Sequence, residues 1–105
     1  MTYNFPSHIN GDSFDGVRFS TNINGSPINL TNATIEMTVY AGSEIAVFST
    51  TNGKLTIINP PTSGIFEFDK QIVHFNTTGT FNYKIVYKTD AYKTYVTGTW
   101  TITQA

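Results

Sequence analysis

Apolar and polar residues alternate with a period of two along most of this chain, the pattern of strands with one buried face. Val17, Phe19 and Ile23 share one side of a first long strand, with Arg18, Ser20 and Asn22 on the other. Ile28 and Leu30 follow Pro27 as a short apolar pair, read as an edge strand. Ala33, Ile35, Met37 and Val39 alternate with Thr34, Glu36, Thr38 and Tyr40. Ile45 to Ser49 and Leu55 to Ile58 form two short strands around Asn52-Gly53, and Phe66 and Phe68 alternate with Glu67 and Asp69. The C-terminal third is the most regular. Phe81, Tyr83, Ile85 and Tyr87 oppose Asn82, Lys84, Val86 and Lys88, and Tyr92, Val96, Trp100 and Ile102 oppose Lys93, Tyr95 and a run of threonines. Two such strands joined near Asp90 predict a hairpin with one aromatic, buried face and one Thr/Lys face.

Turn signals separate these segments about every ten residues, the spacing of all-β proteins. Asn10-Gly11, Asn24-Gly25 and Asn52-Gly53 suit turns that need positive φ. Further breaks fall at Gly42-Ser43, Asn59-Pro60-Pro61, Ser63-Gly64 and Thr78-Gly79. About seven or eight strands in this length predict an antiparallel two-sheet sandwich, immunoglobulin-like in architecture. An OB-like barrel is the alternative. Composition agrees with a β chain. The 105 residues include 18 Thr and 11 Ile but only 2 Leu, and aromatics make up 14%. The length suits a single domain over residues 1–105.

Charge and cysteine content remove several functions. With no cysteine, the chain has no disulfide framework, thiolate metal site or cysteine nucleophile. A net charge of −1 argues against a nucleic-acid binder. No apolar run approaches the roughly 20 residues that cross a bilayer. Met1 to Pro6 lacks a basic patch followed by an apolar stretch, so the expected site of synthesis is the cytosol, without a signal peptide.

The residues that could carry chemistry are few. His8 and His74 have no identifiable nucleophile or carboxylate partner, and no hydrolase, zinc-protease or phosphate-loop motif occurs. Glu67 and Asp69 project from one strand face, where carboxylates serve solubility rather than acid–base work across a cleft. Asp12-Ser13-Phe14-Asp15-Gly16 lacks the alternating oxygen ligands of a calcium loop and reads as a turn. Lys84, Lys88 and Lys93 resemble guards against strand-to-strand aggregation more than a nucleic-acid platform. Tyr40, Phe48 and Tyr95 fall on the polar parity of their strands and would suit stacking on sugar rings, unless they complete a core. The expectation is therefore a non-enzyme with no metal site and no cofactor.

Several segments together carry a resemblance. They are Phe5-Pro6-Ser7-His8-Ile9-Asn10-Gly11-Asp12-Ser13-Phe14 with Gly16-Val17-Arg18-Phe19, and Asn24-Gly25-Ser26-Pro27-Ile28-Asn29-Leu30-Thr31 with Ala33-Thr34-Ile35-Glu36-Met37. Gly79-Thr80-Phe81-Asn82-Tyr83 and Gly98-Thr99-Trp100-Thr101-Ile102-Thr103 complete the set. The chain resembles small immunoglobulin-like structural proteins of tailed bacteriophages and is similar to the N-terminal domain of phage baseplate upper proteins. The resemblance implies a virion protein that docks onto other virion proteins in many copies, without catalytic residues, nucleic acid or membrane. It also implies structural roles for Gly11 and Gly25 in turns, for Leu30 and Met37 in the core, and for Trp100 between the sheets. Baseplate upper proteins continue into further regions, whereas this sequence stops at Ala105, which suits an adaptor or decoration subunit. A carbohydrate-binding module for host adhesion is the alternative.

The expected partner-binding residues are Tyr3, Phe5, Tyr95, Thr97, Thr99 and Thr101. Tyr3 and Phe5 lie outside the main alternating pattern and are expected to find cover on a neighbouring subunit. Thr97, Thr99 and Thr101 form an outward ladder flanked by Tyr95, flat and uncharged enough to meet a partner.

Overall fold

The apolar parity of each long segment forms the inner face of a strand. In a computed structural model, residues 2–23, 25–89 and 92–104 are described, with Ile23 and Tyr92 described by backbone alone. The strands are β1 (Phe5–Ile9), β2 (Ser13–Phe14), β3 (Val17–Ser20), β4 (Asn22–Ile23), β5 (Ser26–Pro27), β6 (Thr34–Ala41) and β7 (Ser43–Ser49). They continue with β8 (Leu55–Ile57), β9 (Ile65–Phe68), β10 (Gln71–Ile72), β11 (Gly79–Lys88) and β12 (Tyr92–Thr103), and a single 3-10 turn spans Pro61–Ser63.

Two sheets carry the core. The larger has the order β1-β12-β11-β6-β7, and the smaller β3-β9-β8. The pairs β10-β2 and β4-β5 form two-stranded ladders beside them. All pairings are antiparallel except β1, which lies parallel to β12. The expected all-β, two-sheet architecture is therefore present, with one parallel edge that the hairpin spacing did not predict.

The core lies between the inner faces. Ile35, Met37 and Val39 from β6, Phe81, Tyr83, Ile85 and Tyr87 from β11, and Val96, Trp100 and Ile102 from β12 are all buried. Phe19, Leu55, Phe66 and Phe68 face them from the smaller sheet. Trp100 is fully buried and meets Phe68 edge-on, with ring centroids 5.7 Å apart. Rings packed edge-to-face in this way gain about 0.5–1.5 kcal/mol per pair beyond the area they bury. Phe5, Phe14, Phe48 and Phe75 close the cage around the indole at 4.8, 5.2, 6.3 and 5.7 Å.

Departures from simple alternation have local causes. The expected strand from Val17 to Ile23 breaks at Thr21, which is buried and gives both its N–H and its hydroxyl to the Gly64 carbonyl, at 2.8 and 2.7 Å. Gly64 has φ of 71°, and a Cβ there would stand 2.6 Å from the Thr21 hydroxyl and 2.9 Å from the Ile28 carbonyl. The site is therefore closed to any other residue. The inward side chain expected of Ile23 lies outside the described residues. Ile28 and Leu30 are buried as expected but form no edge strand. Instead, the Leu30 N–H donates to the Pro61 carbonyl at 3.0 Å. The ladder partner of β4 is Ser26–Pro27, with Ile23 opposite Ser26 across Asn24-Gly25, and Asn24 lies outside the described residues.

The turn at Asn52-Gly53 does not close a hairpin. It carries the chain from β7, in the larger sheet, to β8, in the smaller one. The hairpin partner of β7 is β6, across the turn at Gly42. The expected joint of the last hairpin at Asp90 lies outside the described residues, as does the side chain of Tyr92.

Candidate functional site

The outer face of the larger sheet is built by the polar parity of its strands. Thr101 stands opposite Thr80, Thr99 opposite Asn82, and Thr97 opposite Lys84. Across the next ladder, Asn82 faces Tyr40, Lys84 faces Thr38 and Val86 faces Glu36. The Thr80 and Thr101 hydroxyls share a hydrogen bond of 3.0 Å. Asn4 accepts from the Thr99 N–H at 3.1 Å and from its hydroxyl at 3.2 Å. The expected Thr97, Thr99 and Thr101 ladder thus faces outward. Thr97 is exposed, while Thr99 and Thr101 are half-buried by their neighbours.

Beside this ladder lies a shallow cleft of about 270 Å³, lined by Glu36, Thr38, Tyr40, Glu44, Lys84, Val86 and Thr94. The Lys84 ammonium sits 5.8 Å from the centroid of the Tyr40 ring, a cation–π arrangement that covers one face of the ring. The cleft therefore offers an aromatic surface, a cation, two carboxylates and hydroxyls on the same sheet face.

The other expected contact residues are placed differently. Phe5 is only 5% exposed and packs on Trp100 with near-parallel rings. Tyr3 is half-buried and meets Phe5 and Phe19 edge-on at 5.2 and 5.6 Å. Its N–H donates to the Thr97 carbonyl at 3.0 Å, and its carbonyl accepts a short hydrogen bond from the Tyr83 hydroxyl. The expected cover on a neighbouring subunit is corrected here, because these rings find cover within their own fold. Gly98 makes this possible: a Cβ at that position would stand 1.9 Å from the Tyr3 carbonyl oxygen. A glycine inside a strand marks such a close backbone approach, and Gly98 was the available sequence signal.

Tyr95 is also corrected. The β11-β12 register shifts between Ile85, opposite Val96, and Val86, opposite Thr94, leaving Tyr95 as the extra residue of a bulge. The bulge turns Tyr95 off the outer face. Its hydroxyl donates to the Ser20 carbonyl at 3.2 Å and accepts from the Asn22 N–H at 3.3 Å, and its ring meets Tyr87. Tyr95 thus ties the larger sheet to β3 and β4. Of the three aromatics considered for sugar stacking, Phe48 is buried against Phe68, Tyr95 is committed to this tie, and Tyr40 remains on the outer face.

Outside that cleft, the histidines and carboxylates among the described residues lie apart. His8 is buried beside Phe14 and Trp100, and its Nε2–H donates to the Asp12 carbonyl at 3.0 Å. His74 is exposed. Glu67 pairs with Arg18 at 3.4 Å, and Asp69 accepts from the Thr56 hydroxyl at 2.6 Å. Among the described residues, no three His, Asp or Glu gather as a metal-ligand group, and no helix is long and apolar enough to cross a membrane. Comparison of the sequence with protein-family models and with curated proteins finds no match to either.

Proposed function

We propose that this chain is a non-enzymatic structural protein of a tailed-bacteriophage particle. It acts as an immunoglobulin-like adaptor or decoration subunit that docks, in many copies, onto other virion proteins at the tail, baseplate or head-fibre attachment. It is made in the host cytoplasm and uses no cofactor, nucleic acid or membrane. The resemblance of its segments to such proteins supports the reading. So does the strand order, in which β3-β9-β8 faces β12-β11-β6-β7 as the B-E-D strands face the G-F-C-C′ strands of a variable-type immunoglobulin sandwich.

The observation that carries the proposal is the outer Thr ladder of Thr80, Thr97, Thr99 and Thr101. It is rich in hydroxyls and carries no formal charge of its own, with Lys84 beside it opposite Thr97. Burying such a surface against a partner costs little charge desolvation, and its hydroxyls pair across an interface in either direction. Mass spectrometry of purified virus particles tests the proposal. The chain should appear in stoichiometric amounts, and a double variant Thr97→Arg/Thr101→Arg should fold normally yet be missing from particles. Absence of the wild-type chain from particles would overturn it.

A second reading, a carbohydrate-binding module for host adhesion, is favoured by Tyr40 in the outer-face cleft. A glycan array separates the two. Binding of the isolated domain to a sugar, lost in Tyr40→Ala, would establish the second reading.

A further inference from the structure

Three Asn-Gly pairs occur in the chain, and the fold treats two of them very differently. At Asn10-Gly11, the carboxamide is hydrogen-bonded, as it is at Asn52, and the attacking Gly11 nitrogen is tied as well. The Gly11 N–H donates to the Val73 carbonyl at 2.8 Å, and the Asn10 amide nitrogen donates to the Phe75 carbonyl at 2.8 Å. At Asn52-Gly53, both residues are exposed, and among the described residues no hydrogen bond engages the Gly53 N–H. The Asn52 side-chain oxygen accepts from two backbone donors, the Ser49 N–H at 2.9 Å and the Lys54 N–H at 3.2 Å. The bond to Lys54, two residues ahead, closes a turn that spans Gly53. The two donors point at the oxygen on which negative charge develops when the carboxamide carbon is attacked, where Asn10 has one such donor, the Phe75 N–H at 2.8 Å. Gly53 has φ of 79°, and apart from its chain neighbours no atom lies within 4 Å of where a Cβ would be.

We propose that Asn52-Gly53 is a self-modification site that the fold leaves open to conversion of Asn52 to aspartate or isoaspartate, while Asn10-Gly11 is protected. The Gly53 nitrogen forms a bond to Cγ of Asn52 and gives up its proton. The Cγ–Nδ2 bond breaks, and ammonia leaves with that proton. Water then opens the cyclic imide at either carbonyl, yielding the acid in one of two linkages. The modified group is structural. Asn52 Nδ2 donates to the Val47 carbonyl at 3.1 Å while Oδ1 accepts from Ser49, so this carboxamide pairs with the outer edge of β7 in place of a neighbouring strand. Either product loses the donor to Val47 and sets a negative charge beside that carbonyl. The modification therefore acts on an edge strand and leaves the core intact.

The test holds the folded protein and a urea-unfolded sample at mildly alkaline pH and follows each asparagine by peptide mapping with mass spectrometry. In the unfolded chain, Asn10 and Asn52 should convert at similar rates, since glycine follows both. In the folded protein, Asn52 should convert at least about tenfold faster than Asn10, a barrier difference of about 1.4 kcal/mol. Equal rates at the two sites in the folded protein, or a folded-state slowing of Asn52 as large as that of Asn10, would overturn the proposal. Gly53→Ala supplies a second readout. It should slow conversion at Asn52 and leave Asn10 unchanged, and an unchanged rate at Asn52 would also overturn the proposal. Asn24 lies outside the described residues.

Discussion

The side-chain amide of Asn10 pairs with the backbone of Phe75 through two hydrogen bonds, one in each direction, both 2.8 Å long. The two residues are 65 positions apart. Phe75 has no strand to supply its partners, yet its ring is buried against Trp100, Phe48 and Phe81. Asn10 therefore does the work of a strand for one residue and fixes the segment after β10 over the core.

Asn10→Ala should destabilise the domain by about 2 kcal/mol, since it leaves a partly buried N–H and C=O without partners. Urea unfolding monitored by tryptophan fluorescence measures the loss. A change below about 0.5 kcal/mol, the range of ordinary surface substitutions, would show that water replaces the amide without cost.

Gly98→Ala should destabilise by about 3 kcal/mol, at the upper end for an overpacked site, because its methyl group collides with the Tyr3 backbone, which cannot swing aside, and also crowds the Tyr83 ring. Deleting residues 1–7 should be more damaging still, as it removes Phe5 from the Trp100 cage. Thermal melts of both variants check this. A truncated protein that melts within a few degrees of the full chain would return the N-terminal segment to the surface.

Tyr83 should resist ionisation. Burial, with the neighbouring Tyr3 as the lesser cause, raises its pKa well above the ordinary value of 10.0. Its hydroxyl also donates to the Tyr3 carbonyl, a bond that only the neutral form can make. The stability linked to this group is fully present below the unfolded-state pKa. It declines as pH rises above about 10, where the unfolded chain ionises and the folded chain does not. Tyr83→Phe should remove this share of the alkaline decline and cost about 1 kcal/mol at neutral pH for the lost hydrogen bond. Denaturant midpoints for wild type and variant, measured from neutral to alkaline pH, decide it. Parallel curves would show that Tyr83 titrates normally.

Trp100→Ala should cost about 3–5 kcal/mol, the range for emptying a large aromatic site. The indole should emit at short wavelength in the native state, because it is fully buried. Trp100→Phe should be much milder. It keeps most of the ring contacts and removes Nε1, which is buried without a hydrogen-bond acceptor among the described residues. A larger loss for Phe than for Ala would refute this account of the cage.

Period-two alternation was enough to find the long strands and most of the core. Val39, Ile85 and Trp100 face inward because each strand pairs with its neighbour in a register that keeps one parity dry. The outward Thr97, Thr99 and Thr101 ladder was legible for the same reason. Alternation fails where a residue's partner comes from far along the chain. Tyr95 left its predicted face because a bulge, visible only in the pairing of β11 with β12, changed the local parity. Phe5 entered the core because β1 runs parallel to β12, a pairing between opposite ends of the chain that no local pattern encodes. The cleft containing Tyr40 and Lys84 combines side chains from β6, β7, β11 and β12. The sequence by itself determined which residues dislike water and where the chain turns, because these are local properties of side chains and φ angles. Only the tertiary structure decided which sheet each strand joined and which polar atoms met, because those outcomes depend on contacts between residues up to 95 positions apart, as between Asn4 and Thr99.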